Sequence, residues 1–240
     1  MTEQLPLLDI SKSSQVESHT LEELKSKLNA IKNMGYVRSV YLHAGGIGNT
    51  LESLLGVKEN NLTLPDLGTF ELKARRKETG SMITLFTKSP DRHTNAQLLR
   101  EYGYLSGGKL KIHQTVCRDV PNAKGYLLRE THDEIQCWNL DNCLGTYPLE
   151  FLRTKFLEKI GDGVILALAR TRRSSDNWEE FHYQDAFLLK DVNFDELMRN
   201  LNYDIRIGRY PDGRVHDHGS AFRLRFVDLE KVFRVYKRLL

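Results

Sequence analysis

Apolar residues recur at helical spacing near the start of the chain, then give way to shorter alternating runs. Thr20 and Glu23 form a capping-box pattern, and Leu21, Leu24, Leu28 and Ile31 follow on one face, predicting an amphipathic helix through about Met34. Gly45-Gly46-Ile47-Gly48 reads as a loop and Asn49–Leu55 as a helix ended by Gly56. Strands are expected at Thr69–Ala74 and Met82–Thr87, and a helix at Thr94–Tyr102. From Lys109 to Trp138 the chain alternates and turns like an antiparallel meander. Leu149–Ile160 has Phe151, Leu152, Phe156 and Ile160 in helical register, Val164–Ala169 is the apolar run of a buried strand, and Phe181–Leu189 is its expected neighbour. Asn193–Asn200 reads as helix, Tyr203–Ile207 and Ala221–Phe226 as strands, and Leu229–Leu240 as a closing amphipathic helix. There is no internal repeat. Strands and helices mixed without strict βαβ alternation predict an α+β fold or a mixed central sheet.

Composition narrows this little. A chain of 240 residues suits one domain, or one domain of two lobes. Residues 1–19 are polar and read as a loose lead-in, leaving 20–240 as the folded unit. No stretch approaches the ~20 uncharged apolar residues of a membrane span, and no basic-then-apolar leader opens the chain. Cys117, Cys137 and Cys143 are odd in number and form no CxxC, so neither disulfides nor a zinc site is implied and a cytoplasmic, reduced protein is expected. Net charge is only +3, but residues 201–240 carry nine Lys/Arg against five Asp/Glu, whereas residues 1–66 carry six against eight. Positive charge therefore leans toward the C-terminal end.

The chemistry concentrates in Pro65-Asp66-Leu67-Gly68-Thr69-Phe70-Glu71-Leu72-Lys73. Side chains alternate across a strand, so an extended Phe70–Ala74 places Glu71 and Lys73 on one face, with Asp66 entering from the preceding turn. Two carboxylates and the carbonyl of Leu72 suit a hard divalent cation, and Lys73 would stand beside the water that such an ion activates. This is equipment for phosphodiester hydrolysis. Alone, the spacing also fits a surface strand with a Glu and a Lys facing solvent.

The match extends further. Asp66, Glu71 and Lys73 resemble the PD-(D/E)xK nuclease motif, and Leu64–Arg76 is similar to the active-site strand of the MvaI/BcnI-type restriction endonucleases, relatives of the mismatch-repair nickase MutH. Further blocks resemble the MvaI branch, in the same order: Gly48–Glu52, Leu85–Pro90, the shorter His113–Val116, Asp204–Gly208 and His216–Arg223. The resemblance implies a central mixed sheet flanked by helices, in two lobes forming a DNA cleft. The catalytic lobe would centre on 45–116 and the recognition lobe would include 201–226.

It also implies a Mg²⁺-dependent endonuclease, with Mn²⁺ able to substitute, that cuts double-stranded DNA as a monomer and leaves 5′-phosphates. A cognate DNA methyltransferase would belong to the same system. Asp66 and Glu71 would bind the metal with the Leu72 carbonyl, Lys73 would orient or deprotonate the attacking water, and Glu52, on the preceding helix, would be accessory. Asp204, Arg206, His216, His218 and Arg223 would read G·C pairs, since arginine pairs with guanine O6 and N7 and aspartate accepts from cytosine N4. His216-x-His218 also resembles a zinc chelate, but no further cysteine or histidine stands near to complete it. Small, uncharged Thr87 and Ala221 are those of the MvaI branch and suggest a central A·T pair in a CCWGG-like site, although Leu67-Gly68 and Phe70 look more like the BcnI branch. Lys88 and the run Arg75-Arg76-Lys77 are candidate phosphate contacts, which position without specifying. The alternatives are a MutH-like nicking enzyme recruited by a partner and a catalytically silent DNA-binding module.

Overall fold

The structure, a computed structural model, describes residues 20–41, 45–57, 65–210 and 212–240; the expected lead-in at 1–19 and Leu64 lie outside them. Among the described residues the order is α1 (Leu21–Asn33), β1 (Val37–Arg38), α2 (Gly46–Leu55), β2 (Phe70–Arg76), β3 (Ile83–Thr87), α3 (Asn95–Tyr102), β4 (Tyr104–Ser106), β5 (Lys109–Val116), β6 (Tyr126–Glu130), β7 (Glu134–Asn139), β8 (Asn142–Pro148) and α4 (Leu149–Ile160). There follow β9 (Gly163–Arg173), β10 (Glu179–Val192), α5 (Phe194–Asn200), β11 (Asn202–Arg209), β12 (Val215–Asp217), β13 (Ala221–Leu224), a 3₁₀ turn (Phe226–Asp228), α6 (Leu229–Val232) and β14 (Phe233–Arg238). The fold is α+β, as expected.

Among the described residues three sheets carry it. The first runs β1-β10-β9-β2, with β14 also on β10. Only the β2–β9 pair within it is parallel, with Glu71 opposite Val164 and Lys73 opposite Leu166. The second runs β3-β13-β11-β5-β4, with β12 beside β11, and the third is β6-β7-β8. The Lys109–Trp138 meander is thus only partly right: β6, β7 and β8 form one, but β5 leaves it to pair with β11.

Strand β9 explains the layering, because both its faces are covered, which is why Val164–Ala169 reads as an unbroken apolar run. Ile165, Ala167 and Ala169 pack with Leu24, Leu28 and Ile31 of α1 and Ile47, Leu51 and Leu55 of α2. Val164, Leu166 and Leu168 join a second cluster with Leu152, Phe156 and Ile160 of α4 and with Tyr203, Ile205 and Phe222 of the second sheet. On β2, Phe70 and Leu72 face the first cluster. Alternation therefore turns Glu71 and Lys73 the other way, toward α4.

Two expectations fail. The Gly45–Gly48 loop is largely helix, since α2 begins at Gly46. A side chain at Gly46 would overlap the Ser39 hydroxyl, so the glycine serves close packing against that loop. The closing helix Leu229–Leu240 is one turn only. Phe233–Arg238 instead forms β14, antiparallel to β10, with Phe233 opposite Val192 and Tyr236 opposite Leu189. The apolar positions fit both periods, and pairing with β10 decided between them.

Candidate active site and nucleic-acid interface

The turn before β2 is closed by Thr69 N–H donating to the Leu67 carbonyl at 2.9 Å and Leu67 N–H donating to the Phe70 carbonyl at 2.8 Å. Gly68 has φ +73°, a conformation glycine adopts without strain. This geometry brings Asp66 back beside β2, where its Oδ2 accepts from Leu72 N–H at 3.2 Å. Among the described residues no further strand pairs with the β2 edge away from β9. A residue's N–H and C=O leave a strand on the same side, so the Leu72 carbonyl shares the open edge with Asp66.

Glu71 is 1% exposed, and its Oε1 meets the ammonium of Lys73. As strand alternation requires, these two side chains lie together. The other carboxylate oxygen, Oε2, meets a residue the sequence did not suggest. Lys159, in the last turn of α4, places its ammonium 3.0 Å from Glu71 Oε2 and 3.6 Å from Asp66 Oδ1. Burial raises the Glu71 pKa above its usual range, and Asp66 pushes the same way, against the attraction of Lys73 and Lys159. For Lys159 burial acts to lower the pKa, but Glu71 and Asp66 outweigh it and the net direction is upward.

These atoms fit a divalent cation. Asp66 Oδ1 and Glu71 Oε2 already converge on one positive charge, the Lys159 ammonium, and the donors are hard oxygens. Mg²⁺ typically takes one or two carboxylates and completes its shell with water and substrate phosphate. Among the described residues no group of three or more His, Cys, Asp or Glu is placed to hold a metal, so an ion at Asp66 and Glu71 would complete its shell with carbonyl, water or substrate oxygens. Glu52 lines a surface pocket with Val40, Tyr41, Asn49, Ser53, Gly56 and Val57, none of them a residue of the Asp66–Glu71–Lys73 set.

The second sheet gathers the other candidates. Pairing aligns Thr87, Ala221, Asp204 and Thr115 in one row across β3, β13, β11 and β5. The neighbouring row, Phe86, Phe222, Tyr203 and Val116, points into the core, where the Phe222 ring lies 4.8 Å from Tyr203 and 5.0 Å from Tyr147. Thr87 and Ala221, singled out as a pair, are direct cross-strand partners.

Asp204 has a side chain 2% exposed with both oxygens engaged: Oδ1 accepts from the Thr115 hydroxyl at 2.7 Å, and Oδ2 meets Arg206 Nη2 at 2.8 Å and Arg223 Nε at 3.0 Å. One buried carboxylate thus holds two guanidiniums. His113 faces Arg206 across β5 and β11; partial burial, with Arg206 next in weight, lowers its pKa. His216 stacks on Tyr210 with ring centres 4.3 Å apart and meets His218 edge-on at 5.0 Å. Asp217 accepts from the N–H groups of Gly219 and Ser220 at 2.8 and 2.6 Å, fixing the loop that returns the chain to β13.

The basic run is spent elsewhere. Arg76 makes a two-pronged pair with Glu179 at 2.6 and 2.7 Å, Lys77 meets Asp185 at 2.5 Å, and Arg75 donates to the Ser81 carbonyl at 3.0 Å. Lys88 has its ammonium 5.5 Å from the centre of the Phe151 ring, while its carbonyl accepts from the Tyr203 hydroxyl at 2.6 Å.

The family model of the MvaI/BcnI restriction endonuclease family matches residues 25–233. The chain belongs to this family. Among solved structures this MvaI/BcnI member is similar to restriction endonuclease MvaI in complex with its cognate DNA substrate, with a TM-score of 0.81 and 25% identity over 93% of this chain and 100% of that one. Restriction endonuclease MvaI in the absence of DNA also matches, with 26% identity over 94% of this chain and 100% of that one, and a TM-score of 0.49. No curated protein matches. No helix among the described residues is long and apolar enough to cross a membrane.

Sequence reading missed Lys159, Thr115 as the partner of Asp204, and Tyr210 beneath His216. The first had no local signal, since Lys159 lies far along the chain from Glu71 on an ordinary amphipathic helix. Thr115 lay within a matched block but showed no role until the β5–β11 register was known.

Proposed function

We propose that this restriction endonuclease family member is a sequence-specific type II enzyme that hydrolyses double-stranded DNA at a short CCWGG-like site. The observation that carries this reading is the presence, in one chain, of the converging carboxylates Asp66 and Glu71 beside Lys73 and of two arginines paired with buried Asp204 on a separate sheet. Chemistry and reading are both provided for.

Asp66, Glu71 and the Leu72 carbonyl would hold Mg²⁺, or Mn²⁺ in its place, which supplies charge withdrawal from the scissile phosphate and acidifies water there. Lys73 orients the attacking water or takes its proton. In-line attack on phosphorus breaks the bond to the 3′ oxygen, leaving a 3′-hydroxyl and a 5′-phosphate. Glu52 is accessory in this scheme. Arg206 and Arg223 read guanine edges, held in position by Asp204, whose Oδ1 keeps an acceptor site for cytosine beside the Thr115 hydroxyl. His216 and His218, braced by Tyr210, flank them, Thr87 and Ala221 leave room at the central pair, and Lys88 contacts backbone phosphate. The fitting arrangement is a monomer of two lobes around the duplex, acting in the cytoplasm beside a cognate methyltransferase.

Incubation with plasmid DNA and Mg²⁺ tests this. Discrete fragments with a common end sequence are expected. Nicks that need an added protein would point to a MutH-like role, and unbroken DNA to a binding module.

A further inference from the structure

The end of α4 is built against the turn that carries Asp66. Gly161, at φ +54°, sits so close that an added side chain would overlap the Thr69 carbonyl and Pro65. Asp162 N–H donates to that same carbonyl at 2.7 Å, and Gly163 then opens the parallel ladder opposite Phe70. Three successive residues thus fasten the helix end to the Pro65–Phe70 segment. Lys159 stands two residues before this junction, so its position relative to Asp66 is set by backbone rather than by a free side chain alone. A cation also suits the C-terminal end of a helix.

The distribution of contacts is specific. Glu71 divides its two oxygens between two ammonium groups, Lys73 on Oε1 and Lys159 on Oε2 at 3.0 Å, and only Lys159 also reaches Asp66, at 3.6 Å from Oδ1. Lys73 is the lysine of the sequence motif, whereas Lys159 is the one that bridges the two carboxylates. We infer that Lys159 is a positioning residue of the metal centre, whose ammonium holds Asp66 and Glu71 converged and competes with a divalent cation for the same oxygens. This rests on the metal-binding reading of Asp66 and Glu71 given above.

The physical consequence follows from charge. Two carboxylates brought together repel, and the ammonium offsets that repulsion. A divalent cation can use Asp66 Oδ1 and Glu71 Oε2 only by displacing it, so Lys159 weakens metal binding to the free protein. A phosphate arriving with the substrate offers the displaced ammonium a new partner and the cation a further oxygen. Metal loading is thereby favoured when substrate is in place.

The test is Mn²⁺ binding to the full chain without DNA, measured by calorimetry and by the paramagnetic resonance of free Mn²⁺. Lys159→Gln is expected to bind Mn²⁺ about tenfold more tightly than the wild type, or roughly 1.4 kcal/mol. Lys159→Arg, whose fork can meet both carboxylates at once, is expected to bind it more weakly. A merely structural ion pair would not move the affinity in these opposite directions. Asp66→Asn serves as the control. If Asp66→Asn abolishes binding while Lys159→Gln leaves it unchanged or weaker, the Lys159 inference fails and the metal reading stands. If Asp66→Asn leaves binding intact, Mn²⁺ sits elsewhere and both fail. Should the glutamine variant not fold, as judged by circular dichroism, unchanged or tighter binding in Lys159→Arg overturns the inference.

Discussion

The hydroxyl of Thr115 donates to Oδ1 of Asp204 at 2.7 Å, across the pairing of β5 with β11. This bond leaves Oδ2 to Arg206 and Arg223, so a threonine on one strand sets the direction of two guanidiniums on others. Breaking a buried charge pair from one side leaves the remaining charges uncompensated, which costs about 3–5 kcal/mol. Asp204→Ala is therefore expected to lower stability by that order in urea unfolding and to abolish site preference. Thr115→Val removes one hydrogen bond, costs about 1 kcal/mol, and is expected to erode discrimination between cognate and near-cognate DNA while the protein stays folded. Unchanged discrimination in Thr115→Val would show that the hydroxyl does not position the arginines.

Substituting the acid pair or its lysine separates chemistry from binding. Asp66→Ala, Glu71→Ala and Lys73→Ala are each expected to abolish cleavage with Mg²⁺ while DNA affinity stays within about tenfold, because in the proposed scheme these groups act on the metal and the transition state. Loss of an acidic group can tighten binding by easing repulsion of phosphate. Gel-shift and cleavage assays on one oligonucleotide check both quantities. Near wild-type cutting by any of the three would remove that residue from the site.

Local signals were legible where the chain itself decides. The Thr20–Glu23 capping box, the left-handed Gly56 at the end of α2 and the span of α4 were all readable because caps and helical periodicity are short-range. The Glu71–Lys73 pairing was readable because a strand alternates. What escaped depends on tertiary pairing. Phe233–Arg238 joins β10 as a strand, Gly46 is helical because it packs against Ser39, and Lys159 reaches Glu71 only through the α4–β9 junction. The family resemblance pointed to Arg206 and Arg223, but that one carboxylate would clamp both became visible only with the register.

Base reading and phosphate contact give different salt behaviour. Arg206→Ala and Arg223→Ala are expected to lose about 1–3 kcal/mol of discrimination at a G·C pair for each two-pronged contact removed. Binding to non-cognate DNA should change little. Lys88→Ala should instead weaken all sequences alike and lower the slope of log affinity against log salt by about one phosphate contact. Titrations of cognate and non-cognate duplexes over a salt series distinguish the two. Uniform weakening by the arginine variants would reassign them to the backbone.

Asp228 sets an acid limit on stability. It is fully buried, with Oδ2 accepting from Arg225 at 2.7 Å and Oδ1 from Lys231 at 3.1 Å. Burial acts to raise its pKa, but these two partners outweigh it and hold the carboxyl below its ordinary value of 3.8. The unfolded chain therefore binds the proton more readily. The stabilisation is complete above the ordinary value and is lost as pH falls through the depressed one. Asp228→Asn is expected to cost about 2 kcal/mol at neutral pH and to flatten the decline in melting temperature below pH 4. A decline as steep as that of the wild type would place the acid-sensitive group elsewhere.

The two DNA strands are expected to be cut one after the other. Many enzymes meet a symmetric site with two identical subunits, because a two-fold axis in the protein matches one in the DNA. A site with an odd central base pair is only approximately symmetric, and among the described residues this chain offers one acid pair, Asp66 and Glu71, and one cross-strand row, Thr87, Ala221, Asp204 and Thr115, on the sheet proposed to read the DNA. A monomer so built meets the two strands in turn. It would nick one, leave or turn over, and rebind in the opposite orientation for the second. A one-site plasmid should therefore pass through an open-circle form before becoming linear, and the rate per enzyme should not rise with enzyme concentration. Sedimentation should give a particle near 27.8 kDa both free and, after subtracting the duplex, on DNA. A stable dimer that converts supercoiled plasmid straight to linear, with no nicked species, would overturn this order.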